Sequence, residues 1–175
     1  QDREKWWFRR LYDALQAWGV NSRFKDLNLA KARYSADRGD LRALPTLESL
    51  IADDSQSNLM RASIIEQLGN LGSRQLPSAA AMLLRSDSPV LRASAVRALR
   101  SVEPVQRYLM LRPFIKDTNL TVRMEVAQLL AGISASELRP QDIADIEPLF
   151  EEYLAVQSDH LDMPSVQLQI ANFWI

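Results

Sequence analysis

Three stretches of the chain read in one register: Arg61-Ala-Ser-Ile-Ile-Glu-Gln-Leu68, Arg92-Ala-Ser-Ala-Val-Arg-Ala-Leu99 and Arg123-Met-Glu-Val-Ala-Gln-Leu-Leu130. The arginines are evenly spaced, the step from Arg61 to Arg92 equalling that from Arg92 to Arg123. The same interval relates Leu68, Leu99 and Leu130, and again Ile65, Val96 and Ala127. Self-similarity at a fixed period of this size marks a repeat architecture. Inside each stretch the apolar positions recur every three or four residues, the spacing of one face of an α-helix.

Each stretch is preceded by an acidic turn: Asp54-Ser55, Asp87-Ser88 and Asp117-Thr118. The offset from Asp to Arg is 7, 5 and 6, so the turn length varies while the following helix keeps register. Before each turn lies a further apolar run, beginning at Leu44-Pro45, Leu76-Pro77 and Tyr108-Leu109. A helix pair of this size cannot bury both apolar faces alone, whereas stacked pairs shelter one another. The turn Asp or Ser/Thr is placed to cap the second helix. The Arg one turn further on is placed to reach the same or a neighbouring Asp, tying successive turns into a ladder. The plain alternative is a set of solvated helix-end charges that contribute little.

Working outward, the helical period holds almost everywhere, with no alternating run or Asn-Gly or Asp-Gly turn to suggest a hairpin of strands. The predicted helices are 4–18, 24–38, 41–53, 58–71, 75–85, 89–101, 104–116, 120–133, 141–157 and 164–175. Small polar breaks separate them, among them Gly39, Asp53-Asp54, Gly72-Ser73 and Ser158-Asp159. Pro45, Pro77, Pro89, Pro104 and Pro164 fall where a first helical turn tolerates proline. The expected organisation is an aromatic-rich helix over 1–22, repeats over 23–136 and a last helix pair over 137–175. The run Asn172-Phe173-Trp174-Ile175 reads as the middle of a helix, so the chain is expected to be a piece of a longer protein.

Composition narrows the chemistry. Among 175 residues, 21 Lys and Arg face 22 Asp and Glu, for a net charge of −1. That disfavours a generally basic nucleic-acid-binding surface, although a local basic spot remains open. With no Cys there is no disulfide, thiol nucleophile, cysteine-held zinc or attached c-type haem in this stretch. A single His makes a histidine-built metal site unexpected. His160, between Asp159 and Asp162, reads as part of a surface loop. Glu147, Glu151 and Glu152 form an acidic helical face, but the Glu-x-x-His partner of a di-metal bundle is missing. No phosphate loop, nucleophile elbow or membrane span is legible. The expectation is a chain that is not an enzyme and holds no cofactor within this stretch.

Two regions are candidate contact surfaces. Trp6-Trp7-Phe8-Arg9-Arg10-Leu11-Tyr12 is the most unusual composition in the chain. Adjacent Trp6 and Trp7 point about 100° apart on a helix, so they cannot share one seam. Trp6, Trp7 and Arg10 can anchor a partner, since aromatics and Arg dominate interfaces; equally, the helix can simply cap the core. The second surface lies on the second helices, where Glu66, Arg97 and Gln128 fall in one column of the repeat register. Arg92, Arg97 and Arg100 make a local basic spot there. The readings are a partner groove or a solvated face.

Asp87-Ser-Pro-Val-Leu-Arg-Ala-Ser-Ala-Val-Arg-Ala-Leu99 and Asp117-Thr-Asn-Leu-Thr-Val-Arg-Met-Glu-Val-Ala-Gln-Leu-Leu130 resemble second halves of HEAT-type repeats. Arg38-Gly-Asp-Leu-Arg-Ala-Leu-Pro-Thr-Leu-Glu-Ser-Leu50 resembles a first helix. The resemblance covers roughly residues 25–133, and the unit is shorter than many in that family. It implies a right-handed α-α superhelix of about five helix pairs, used as a scaffold for proteins or neighbouring domains. A looser resemblance concerns Arg38–Pro45 and the stretch from Glu151 to Phe173, which looks like a tetratricopeptide repeat beginning. Both are similar to joints in periplasmic multihaem cytochrome-like proteins. That likeness implies a periplasmic location and a haem part outside this stretch, with electron transfer as an alternative function. A third alternative is nucleic-acid binding, as other HEAT-type proteins do through a basic groove.

Overall fold

The computed structural model describes residue 10, residues 21–159 and residues 162–173; for residues 21–27, 165, 169, 172 and 173 it describes the backbone only. Trp6, Trp7, the helix expected at 4–18 apart from Arg10, and His160 lie outside the described residues. Among the described residues there are nine α-helices and no strand. They are α1 (Asn21–Asp37), α2 (Leu44–Ile51), α3 (Asn58–Asn70), α4 (Leu76–Leu84), α5 (Pro89–Ala98), α6 (Pro104–Leu111), α7 (Leu120–Ala131), α8 (Pro140–Ser158) and α9 (Pro164–Phe173).

Local chemistry explains where they start and stop. Proline stands in the first turn of α2, α4, α5, α6 and α8, where its missing N–H leaves no bond unmade. Ser57 caps α3 by accepting from the Met60 amide, and Asn119 caps α7 by accepting from the Val122 amide. The caps are therefore not the turn aspartates. Ser88 occupies the equivalent place before α5 without a side-chain bond. Gly72 closes the turn after α3 at φ +65°, a conformation that costs a side-chain-bearing residue energy. Three of the expected helices are shorter than read, because 3₁₀ turns occupy Leu41–Ala43, Leu99–Ser101 and Arg112–Phe114. In the last of these Pro113 has no amide to offer Leu109, so the α-helix cannot continue past Leu111. In α8, Pro148 is accommodated inside the helix on an exposed side.

The repeat register governs packing. Hairpin mates pair as α2 with α3, α4 with α5, and α6 with α7. The second helices form a row in which α1 meets α3, α3 meets α5, α5 meets α7 and α7 meets α8, with α9 against α8. Leu68, Leu99 and Leu130 are buried at 0%, 0% and 1% exposure, and Ile65, Val96 and Ala127 at 0%. Burying a side chain of this kind contributes about 1.5–3 kcal/mol, so the column supplies much of the adhesion between neighbours. The approach of α3 to α5 is unusually close. A Cβ on Gly69 would lie 2.9 Å from the Ala98 carbonyl oxygen, so only glycine fits.

Polar ties run beside this core. Arg61 donates to Asp54 of its own turn at 2.7 Å and to the Ile51 carbonyl at 3.1 Å. Arg92 donates to the Ser86 and Asp87 carbonyls of its own turn and forks across to Asp117 of the next. Arg123 donates to the Asp117 carbonyl and forks across to Glu152 of α8. The arginine column thus bridges units twice, and the last partner is a glutamate where an aspartate was expected.

Candidate functional site

A second set of ties crosses the exposed side of the row. Arg33 of α1 donates to Ser63 of α3, and Gln67 of α3 to Asp37 of α1. Arg97 of α5 donates through Nε and Nη2 to Glu66 of α3 at 2.9 and 2.7 Å, and through Nη1 to Glu125 of α7 at 2.6 Å. Its Nη2 also donates to Ser94. Gln128 of α7 donates to the Tyr153 hydroxyl of α8 at 2.9 Å. Burial works against the Arg97 charge, but the bonds to Glu66 and Glu125 outweigh it and hold the guanidinium pKa above its ordinary value.

Next to this triad, between the C-terminal ends of α3 and α5, an open groove of about 400 Å³ is lined by Glu66, Gly69, Asn70, Arg97, Arg100 and Ser101. Its floor is the close contact of Gly69 with Ala98, and the closeness itself makes the groove shallow. Arg100 and Asn70 are exposed at its rim. The groove offers a guanidinium, a carboxamide, a hydroxyl and the Glu66 carboxylate, a mixed set suited to hydrogen-bonding a peptide.

The structure brings Glu66, Arg97 and Arg100 together here. Gln128 lies further along the row and is tied to Tyr153. Arg92 sits at the other end of α5, in the turn ladder with Asp117, away from this groove. Arg10 is exposed, and Trp6 and Trp7 lie outside the described residues. Glu125, Asn70 and Ser101 are additions that the sequence reading does not contain. Glu125 was within its reach, since Ser63, Ser94 and Glu125 also share one column of the register. Asn70 and Ser101 share a column in the same way, followed in the next unit by Gly132, so their neighbourhood too was within reach of the register.

A second polar cluster joins the buried Tyr108 of α6 and Asp142 of α8 to the exposed Arg139. Arg139 forks onto Asp142 at 2.7 and 2.9 Å and lowers its pKa to about 2. Burial raises the Tyr108 phenol, and the neighbouring Asp142 carboxylate raises it further. Arg107 is buried with one bond, to the Arg100 carbonyl, and burial lowers its pKa. Among the described residues no group of three or more His, Cys, Asp or Glu side chains is arranged to hold a metal. No helix among them is long and apolar enough to cross a membrane. Comparisons with protein-family models, curated proteins and solved structures find no match to this chain.

Proposed function

We propose that the chain is a non-catalytic helical-repeat scaffold, a right-handed superhelix of HEAT-like helix pairs that holds protein partners or neighbouring domains. The observation that carries this reading is the row α1, α3, α5, α7. Its exposed side presents corresponding positions at each step of the register and opens into the groove beside Glu66, Arg97 and Arg100. A surface built by repetition binds extended partners through many modest contacts. The triad Glu66–Arg97–Glu125 keeps the row rigid, while Arg100 and Asn70 remain available for contact.

Nucleic-acid binding is the weaker reading, since the Arg97 charge is already offset by two glutamates and phosphate recognition needs net positive charge. The haem-protein reading rests on resemblance alone. Photo-crosslinking tests the scaffold. A crosslinkable residue at Asn70 or Ser101 should capture the same partner from native extract, and one at Leu109 on α6 should not. No adduct at Asn70 and Ser101, or adducts at Leu109 only, would contradict the reading.

A further inference from the structure

The last long helix is electrostatically one-sided. Helix α8 carries Asp142, Asp145, Glu147, Glu151 and Glu152 and not one Lys or Arg. Three of these carboxylates are satisfied inside the molecule, by Arg139, Arg112 and Arg123. Glu147 and Glu151 are exposed, form no ion pair with the described residues, and stand one helical turn apart. They flank an apolar groove of about 400 Å³, whose walls include Leu130, Ile133, Leu138, Ile143 and Leu154. Ile143 remains 39% exposed. An apolar trough with an acidic lip is shaped for a helix that has an apolar face and basic residues beside it.

The chain contains such a segment. Residues 3–18 carry Trp6, Trp7, Phe8, Leu11, Leu15 and Trp18, with Arg3, Lys5, Arg9 and Arg10 against Glu4 and Asp13. The segment ends three residues before α1 begins. From α1 the row passes through α3, α5 and α7 before it reaches α8. Four helix-to-helix steps amount to about 30–40 Å, whereas a sixteen-residue helix spans about 24 Å. As a helix, the segment would therefore fall short of the groove of its own chain.

We propose that the groove beside Glu147 and Glu151 receives residues 3–18 of a second copy of this chain, joining copies head to tail. A contact between two different surfaces of one molecule is heterologous, so association continues beyond a dimer unless a ring closes. The proposal deepens the scaffold reading, on which it rests, by naming a second copy as the partner.

The test is light scattering of the full chain over a wide concentration range. The expected result is a mass that grows with concentration. Two charge-reversed chains, Arg9→Glu/Arg10→Glu and Glu147→Lys/Glu151→Lys, should each lose association while keeping their helical circular dichroism. Mixed together they should associate again, because the acidic segment of one then meets the basic groove of the other. A monomer at every concentration, association indifferent to Glu147→Lys/Glu151→Lys, or no rescue on mixing would overturn the proposal. A monomeric chain that still crosslinks a different protein at Asn70 would overturn this contact and leave the scaffold reading standing.

Discussion

Arg92 and Asp117 form a two-bond fork across a unit boundary. Nε and Nη2 of Arg92 donate to the two carboxylate oxygens of Asp117 at 2.8 and 2.9 Å, between side chains only 12% and 7% exposed. Asp117 also accepts from the Asn119 amide, so one carboxylate joins the start of α7 to the preceding helix pair. One unit earlier, Arg61 is joined by a single bond to Asp54 of its own turn, and the Asp54 side chain is 90% exposed.

The contrast gives the first prediction. Asp117→Ala leaves a largely buried guanidinium without its anion and is expected to cost about 3 kcal/mol of stability. Asp54→Ala removes a single bond from a solvent-exposed carboxylate, while Arg61 keeps its bond to the Ile51 carbonyl, and is expected to cost less than about 1 kcal/mol. Urea unfolding of both variants measures the difference, and equal losses would show that the ladder is decoration.

Close packing gives the second. Gly69→Ala forces the backbones of α3 and α5 apart, since the new Cβ would meet the Ala98 carbonyl at 2.9 Å, and should destabilise by about 1–3 kcal/mol. Gly132→Ala meets nothing within 4 Å and should be neutral or slightly stabilising. Thermal unfolding of the two variants distinguishes them.

Acid should loosen the seams. The Arg139 fork lowers Asp142 to about 2, and the Arg123 fork lowers Glu152. For Asp117 burial pushes upward, but the Arg92 fork and the Asn119 amide prevail and the net shift is downward. Each of these carboxylates binds fewer protons folded than unfolded. Their stabilisation is therefore complete above the unfolded carboxylate pKa near 4 and is lost as pH falls toward the folded values. Denaturant midpoints should drop between about pH 4 and pH 2, and Asp142→Asn should flatten part of that drop.

Arg107 is buried without a carboxylate of its own, although Glu103 and Glu137 act on it through space. Replacing such a cation with an apolar side chain of similar length is commonly neutral or stabilising. Arg107→Met should accordingly leave the urea midpoint unchanged or raise it. A clear fall in that midpoint would mean that the bond to the Arg100 carbonyl matters more than burial does.

Much of the architecture was readable because the forces that set it are periodic. Leu68, Leu99 and Leu130 had to share an environment once their spacing was seen, and they do. The arginine column was readable for the same reason, and so were two of its partners, Asp54 of the same turn and Asp117 of the next, but the third was not. Arg123 reaches Glu152 because α8 arrives from outside the repeated units, where no register predicts its face. The caps fell to Ser57 and Asn119 because the turns differ in length, and turn length decides which residue stands at the helix start. The groove's lining follows the register: Glu66 and Arg97 share one column, and Asn70 and Ser101 share another.

The central claim is that each repeat of the register advances the chain by one helix along a single row. The chain has no cysteine, so spin labels can be placed freely at Glu66→Cys, Arg97→Cys and Gln128→Cys. Pairwise distances by electron paramagnetic resonance should place 66 and 97, and 97 and 128, one helix spacing apart, about 10 Å before label length is added. The pair 66 and 128 should be separated by about twice that. A 66-to-128 distance no longer than the other two would contradict the row, and with it the account of both grooves.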